Sequence, residues 1–282
     1  LHEICHAIQL YVEKLILGLE SFYDVLTSLE KLGQVVDKDL ESQEGETPDY
    51  KKGVTLEFDN VSYLVSNRDK PILKNISFKI PCKSRIIING ESGSGKSSLL
   101  QLIAGIIEPT SGHIYIDNLS LSSLHLNYYR SHLGLSLSIE NPFEGTIKEN
   151  LTFGNTNISD EEIFKILEIV GLAQFIKEQP KGLQTILYPE GKQMSYTIAK
   201  KIVLARAILK QPKVLILEDA LDQFNIEETN TIIDFLTSES NPWTLIVVSS
   251  NERWKNKCTQ QITLENGEIK TTVFSEQQTA DD

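Results

Sequence analysis

Gly90-Glu91-Ser92-Gly93-Ser94-Gly95-Lys96-Ser97-Ser98 carries the residue types that chemistry on phosphates needs, and in a usable order. It reads G-x-x-x-x-G-K-S, a spacing in which glycines let backbone N–H groups converge on phosphate oxygens. Lys96 has the reach and charge to meet terminal phosphates, and the Ser97 hydroxyl suits a magnesium ligand. The apolar run Arg85-Ile86-Ile87-Ile88 precedes the loop and the apolar-periodic Leu99-Leu100-Gln101-Leu102-Ile103 follows it. A strand must therefore lead in and a helix lead out, with the helix dipole adding positive potential at the phosphates. The loop implies a bound nucleoside triphosphate with Mg²⁺.

The remaining elements follow from composition and period. The chain has 282 residues and a formal net charge of −12, with a mean hydropathy of −0.17. That charge argues against a nucleic-acid partner, because phosphate contacts supply most non-specific affinity for DNA. Cys5, Cys82 and Cys258 have neither metal-ligand spacing nor a disulfide framework. Leu1, Ile4, Ile8, Tyr11, Leu15, Phe22, Val25, Leu29, Leu32 and Val36 fall on three- and four-residue steps. This predicts a long amphipathic helix over 1–36, packed on its own domain or continuing from a membrane part. Glu3, Glu13 and Lys14 interrupt any run apolar enough to span a bilayer.

Residues 37–53 are acidic and carry Gly and Pro, so they read as a solvated linker, with a domain over 54–282. Alternation predicts strands in 56–63, 72–80 and 113–117. Ser159 and Glu162 make a capping box for a helix running from Ser159 to about Lys177, and a second helix covers Tyr196 to Leu209. Val214–Leu217 and Leu245–Val248 are short, fully apolar runs alternating with helices, the pattern of a parallel sheet buried on both faces. The expected fold is α/β: a P-loop NTPase core with a parallel sheet, an antiparallel β-subdomain and an α-helical subdomain over about 140–210, preceded by the long amphipathic helix.

Beyond the loop, Ile72-Leu73-Lys74-Asn75-Ile76-Ser77, Gly145-Thr146-Ile147-Lys148-Glu149-Asn150, Leu204-Ala205-Arg206-Ala207-Ile208 and Leu264-Glu265-Asn266-Gly267-Glu268-Ile269 complete a pattern. Over roughly 54–270 the chain resembles the nucleotide-binding domain of an exporter-type ABC transporter. Ser28-Leu29-Glu30-Lys31-Leu32 resembles the segment joining an exporter's last membrane helix to that domain. The resemblance implies a head-to-tail pair of such domains (homodimer or heterodimer), a transmembrane domain upstream of Leu1, and a place on the cytoplasmic face of a membrane.

The same resemblance exposes departures. Asp for Mg²⁺ and then Glu to orient water are expected after the apolar run, but the order here is Glu218-Asp219. Glu218 still reaches the metal shell, whereas Asp219 withdraws a base by about 1.5 Å, a misplacement able to lower rates about a hundredfold. The signature L-S-G-G-Q aligns with Met194-Ser195-Tyr196-Thr197-Ile198, which puts bulk where glycines admit a partner's γ-phosphate and leaves a reading as a Ser-capped helix start open. The switch glutamine falls at Ser138, the γ-phosphate histidine at Ser250 and the adenine-stacking aromatic at Val65; Tyr63 is expected on the core face of its strand. S-A-L-D becomes Asp222-Gln223-Phe224-Asn225.

The catalytic positions are thus Asp219, Ser138 and Ser250, the metal positions Ser97 and Glu218, and ATP hydrolysis is expected to be impaired. A nucleotide-independent structural or regulatory subunit keeps the same fold, and a working ATPase tolerant of the changes is a third reading. A small-molecule P-loop kinase would share only 90–98.

Overall fold

Residues 2–37, 41–66 and 69–274 are described by the computed structural model and fall into two units, Leu1–Ser42 and Gln43–Asp282. In the first, His2–Val36 form one helix, α1, which passes through Gly18 unbroken. Its described apolar side chains, Tyr11, Leu15, Phe22, Leu29 and Leu32 among them, are exposed. Leu1 of the predicted seam lies outside the described residues, as do 38–40 of the predicted linker and 275–282. Among the described residues no helix is long and apolar enough to cross a membrane.

The second unit starts before Val54. Glu46 pairs with Leu124, and Tyr50, expected in solvated linker, is only 2% exposed against the rings of Tyr128, Tyr129 and His132. The ring and the Glu46 backbone dock the segment together: Glu46 N–H donates to the Ser123 carbonyl at 2.8 Å and its carbonyl accepts His125 N–H at 3.0 Å.

Strands β1 (Leu56–Tyr63) and β2 (Leu73–Ile80) are antiparallel. Strand β3 (Arg85–Asn89) leads through the glycine loop into α2 (Lys96–Ile103). Strands β4 (Ser111–Ile116) and β5 (Leu119–Ser120) then complete an antiparallel sheet of order β2-β1-β4-β5. After α3 (Leu126–Ser131) and β6 (Leu133–Ser136) comes a helical layer. It opens with the short strand β7 (Gly145–Thr146) and α4 (Ile147–Thr152), continues with α5 (Asp160–Ile169) and α6 (Ala173–Glu178), and closes on β8 (Ile186–Leu187), which pairs with β7, and α7 (Tyr196–Leu209). Strand β9 (Val214–Glu218), α8 (Ile226–Leu236), β10 (Thr244–Val248), β11 (Gln260–Glu265) and β12 (Glu268–Phe274) finish the chain.

The second sheet runs β12-β11-β3-β10-β9-β6 and is parallel except at β12. Alternate strand residues enter opposite layers, as a two-residue period requires. Ile87, Leu215 and Leu217 join the helical core, while Ile86, Ile88, Val214 and Ile216 join the core shared with the antiparallel sheet. The expected P-loop NTPase architecture is therefore present, with the helix at 196–209 and both apolar strands where the periodicity puts them. The single helix expected from Ser159 to Lys177 is two. Its start has the capping box, Ser159 and Glu162 bonding reciprocally, but Gly171 at φ +69° turns the chain between α5 and α6.

Candidate functional site

The glycine loop holds its shape through contacts only glycine permits. Gly90 sits at φ +151°, and a Cβ there would strike the Leu264 carbonyl oxygen and come within 2.7 Å of Ser94 Oγ. Gly95 is the left-handed N-cap of α2, with Leu73 Cδ2 2.7 Å from where a Cβ would stand. A Gly90→Ala substitution is expected to destabilise the fold by about 2–3 kcal/mol, since backbone strain adds to a clash with main chain that cannot swing away. Chemical denaturation of the two proteins reads this as a lower midpoint.

Lys96 Nζ lies inside the loop, donating to the Gly90 and Glu91 carbonyls at 2.7 Å each. Ser97, the next residue of α2, donates Oγ–H to Glu218 Oε1 at 2.5 Å. Strand register explains the meeting: β10 pairs Val248 with both Ile88 and Glu218, so three parallel strands end level at one edge. The C-terminal edge of a parallel sheet is where such folds place ligands. Here a cleft of about 760 Å³ is lined by Gly90, Lys96, Ser97, Glu218, Asp219 and Ser250.

Glu218 is 6% exposed and its second oxygen is also taken: Oε2 accepts Ser138 N–H at 3.0 Å and Ser138 Oγ–H at 2.8 Å. Ser138 thus contributes by holding Glu218 from the neighbouring strand end. A short side chain here complements a carboxylate one methylene longer than the expected Asp. Ser97 and Glu218 fit a hard cation, since magnesium takes oxygen donors and combines few carboxylates with waters and phosphate oxygens. Among the described residues no group of three or more His, Cys, Asp or Glu is placed to hold a metal ion.

Asp219 adopts φ +47° while its N–H donates to the Val248 carbonyl at 2.9 Å. Burial, then the neighbouring carboxylates of Asp222 and Glu218, raise its pKa above the ordinary aspartate value, with Lys96 opposing them. An acid whose folded pKa is raised destabilises the fold once ionised, and the penalty disappears below the unfolded pKa, where both states are protonated. Asp219→Asn is therefore expected to raise the melting temperature at pH 7, and the gain should vanish as the pH falls towards 3.

Ser250 is exposed at the cleft wall, next to a Ser249 hydroxyl that donates to Asp222 Oδ1 at 3.3 Å. Ser195 caps α7, accepting Ile198 N–H at 3.3 Å, and Tyr196 is 52% exposed. Met194, Ser195, Tyr196, Thr197 and Val65 are not among the residues lining the cleft. Tyr63 packs against the core of the antiparallel sheet.

Sequence reasoning missed Lys200. It is 4% exposed, and its ammonium donates to the Ser138 and Glu140 carbonyls at 2.7 Å each. Burial lowers its pKa from the ordinary lysine value. Adjacent lysines at 200 and 201 inside a mostly apolar helix were the available signal. Asp222 and Lys255 also line the cleft without having been singled out for it.

The family model described as ABC transporter matches residues 73–222. "Uncharacterized ABC transporter ATP-binding protein YfiB" of Bacillus subtilis is 28% identical over 240 residues, 85% of this chain and 42% of that protein. "ATP-binding cassette sub-family B member 5" of Homo sapiens is 31% identical over 239 residues, 83% of this chain and 19% of that protein. The chain therefore spans less than half the length of these relatives. A solved structure of a bacterial Atm1-family ABC exporter with ATP bound shares the fold, with a TM-score of 0.79, 23% identity, and coverage of 88% of this chain and 43% of that one. With the family model matching more than half its length and the phosphate loop set as described, this chain belongs to the ABC transporter family, as an ATP-binding domain of exporter type.

Proposed function

We propose that this domain binds Mg·ATP and uses it to close against a second ABC domain, driving an exporter's transmembrane domain at the cytoplasmic face of a membrane, with hydrolysis slow or absent. The observation that supports the reading is the Ser97–Glu218–Ser138 hydrogen-bond chain beside the Lys96 loop, which gathers oxygen donors and an ammonium at the strand ends. Mg²⁺ held by Ser97 and Glu218 would neutralise charge on the terminal phosphates. Lys96 binds those phosphates, Ser138 keeps Glu218 aimed, and Asp219 takes the place of the base.

Ser195 and Tyr196 stand at an exposed helix start away from their own cleft, which suits a residue pair that meets the nucleotide of a partner domain. Tyr196 and Thr197 lack the backbone access that glycine gives, and Ser250 is too short for the histidine's contact, so the groups that sense a γ-phosphate are weakened together. The relatives' longer chains support a transmembrane part beyond this domain. Sedimentation of the chain with and without Mg·ATP tests the proposal. Saturable binding with a shift towards dimer is expected, and no saturable binding would overturn it.

A further inference from the structure

A lysine buried to this degree needs strong acceptors, because a desolvated cation without them is among the most unfavourable groups a core can hold. An apolar residue at position 200 would pack the same helix face without that penalty, so what the ammonium touches matters. It touches the segment between β6 and β7 at two carbonyls, Ser138 and Glu140, each at 2.7 Å. The same helix sends Arg206 to the Glu140 carboxylate at 3.7 Å, so α7 grips this one segment with two basic side chains. Ser138 is consequently held from both sides: its carbonyl by Lys200, its N–H and hydroxyl by Glu218, and Glu218 in turn by Ser97.

We propose that Lys200 is a positioning residue for the divalent cation of the nucleotide site. It fixes Ser138 so that the Glu218 carboxylate stays turned towards Ser97, and magnesium then meets a preformed oxygen pair. The inference rests on the Mg·ATP reading above. It also extends the site through the helical layer: the Tyr196 ring stands 5.2 Å from the Lys200 ammonium, which links the exposed start of α7 to the buried carboxylate.

The test is calorimetric titration of ATP into the whole chain, once with MgCl₂ and once with EDTA, taking the ratio of the two dissociation constants. Lys200→Met is expected to lower that ratio about tenfold, the lower end of what outer partners of a metal ligand contribute. The EDTA arm should stay within about twofold, because Lys200 does not touch the phosphate loop. Lys200→Gln, which keeps two N–H donors, should recover most of the ratio. Ser138→Ala removes one link without disturbing a buried cation and should lower the ratio too, so the proposal stays testable if Lys200→Met fails to fold. An unchanged ratio in the folded variants, or equal losses in both arms, would overturn it. An unchanged ratio in folded Lys200 variants of a chain that does prefer magnesium would overturn this inference alone, whereas a wild-type chain with no magnesium preference, or with no ATP binding, would remove the Mg·ATP reading with it.

Discussion

Lys96→Ala is expected to weaken Mg·ATP binding by about a hundredfold, corresponding to about 2.7 kcal/mol. A hydrogen bond between a charged donor and a charged acceptor is worth roughly 1.5–3 kcal/mol, and an ammonium carries three donors. Two of them already touch the loop carbonyls of Gly90 and Glu91, which places the charge where the loop's amides converge. Alanine is a good helix former at this first position of α2 and leaves the glycine geometry alone. The melting temperature should therefore change little while the titration flattens. A loss of only two- or threefold would mean that the lysine is an internal strut of the loop.

Glu218→Gln should remove the magnesium dependence of ATP binding, bringing affinity in MgCl₂ down to the level in EDTA, a loss on the order of ten- to a hundredfold. The substitution isolates charge from geometry. The amide oxygen can still accept both donors of Ser138, and the amide N–H₂ can donate to the Ser97 oxygen, whose own O–H then turns to the open cleft. What disappears is the negative charge that a divalent cation requires. Paired titrations in the two buffers read the effect directly, and a retained magnesium preference would assign the ion to other groups.

The phosphate loop was legible because its chemistry is contiguous: glycines, lysine and serine follow one another within 90–98, and their conformations are set locally. Glu218 was legible because a fully buried parallel strand announces its own end. Its partnership with Ser138 was not, since 80 residues separate them and only the alignment of β6 beside β9 brings them together. Judged as a replacement for glutamine, Ser138 looked like a loss; in the fold it is half of an exchange in which the longer carboxylate meets the shorter partner. Lys200 was hidden for a related reason, because nothing local to a helix says which loop its buried face meets. Tyr50 and Gly171 mark the limits of pattern reading in the other direction. One buried ring and a backbone bridge at Glu46 docked an acidic stretch, and one left-handed glycine broke a helix whose apolar spacing ran on across it.

A retained cradle with a weakened trigger should show itself in phosphate release at saturating Mg·ATP. ABC domains and kinases alike depend on residues that orient the nucleophile and stabilise charge, and losing several of them multiplies the penalties. The wild-type chain is expected to bind Mg·ATP in a Lys96-dependent way yet to release phosphate at least about a hundredfold more slowly than the roughly 1–100 s⁻¹ of ordinary phosphoryl-transfer enzymes. Release within that range, abolished by Lys96→Ala, would contradict it.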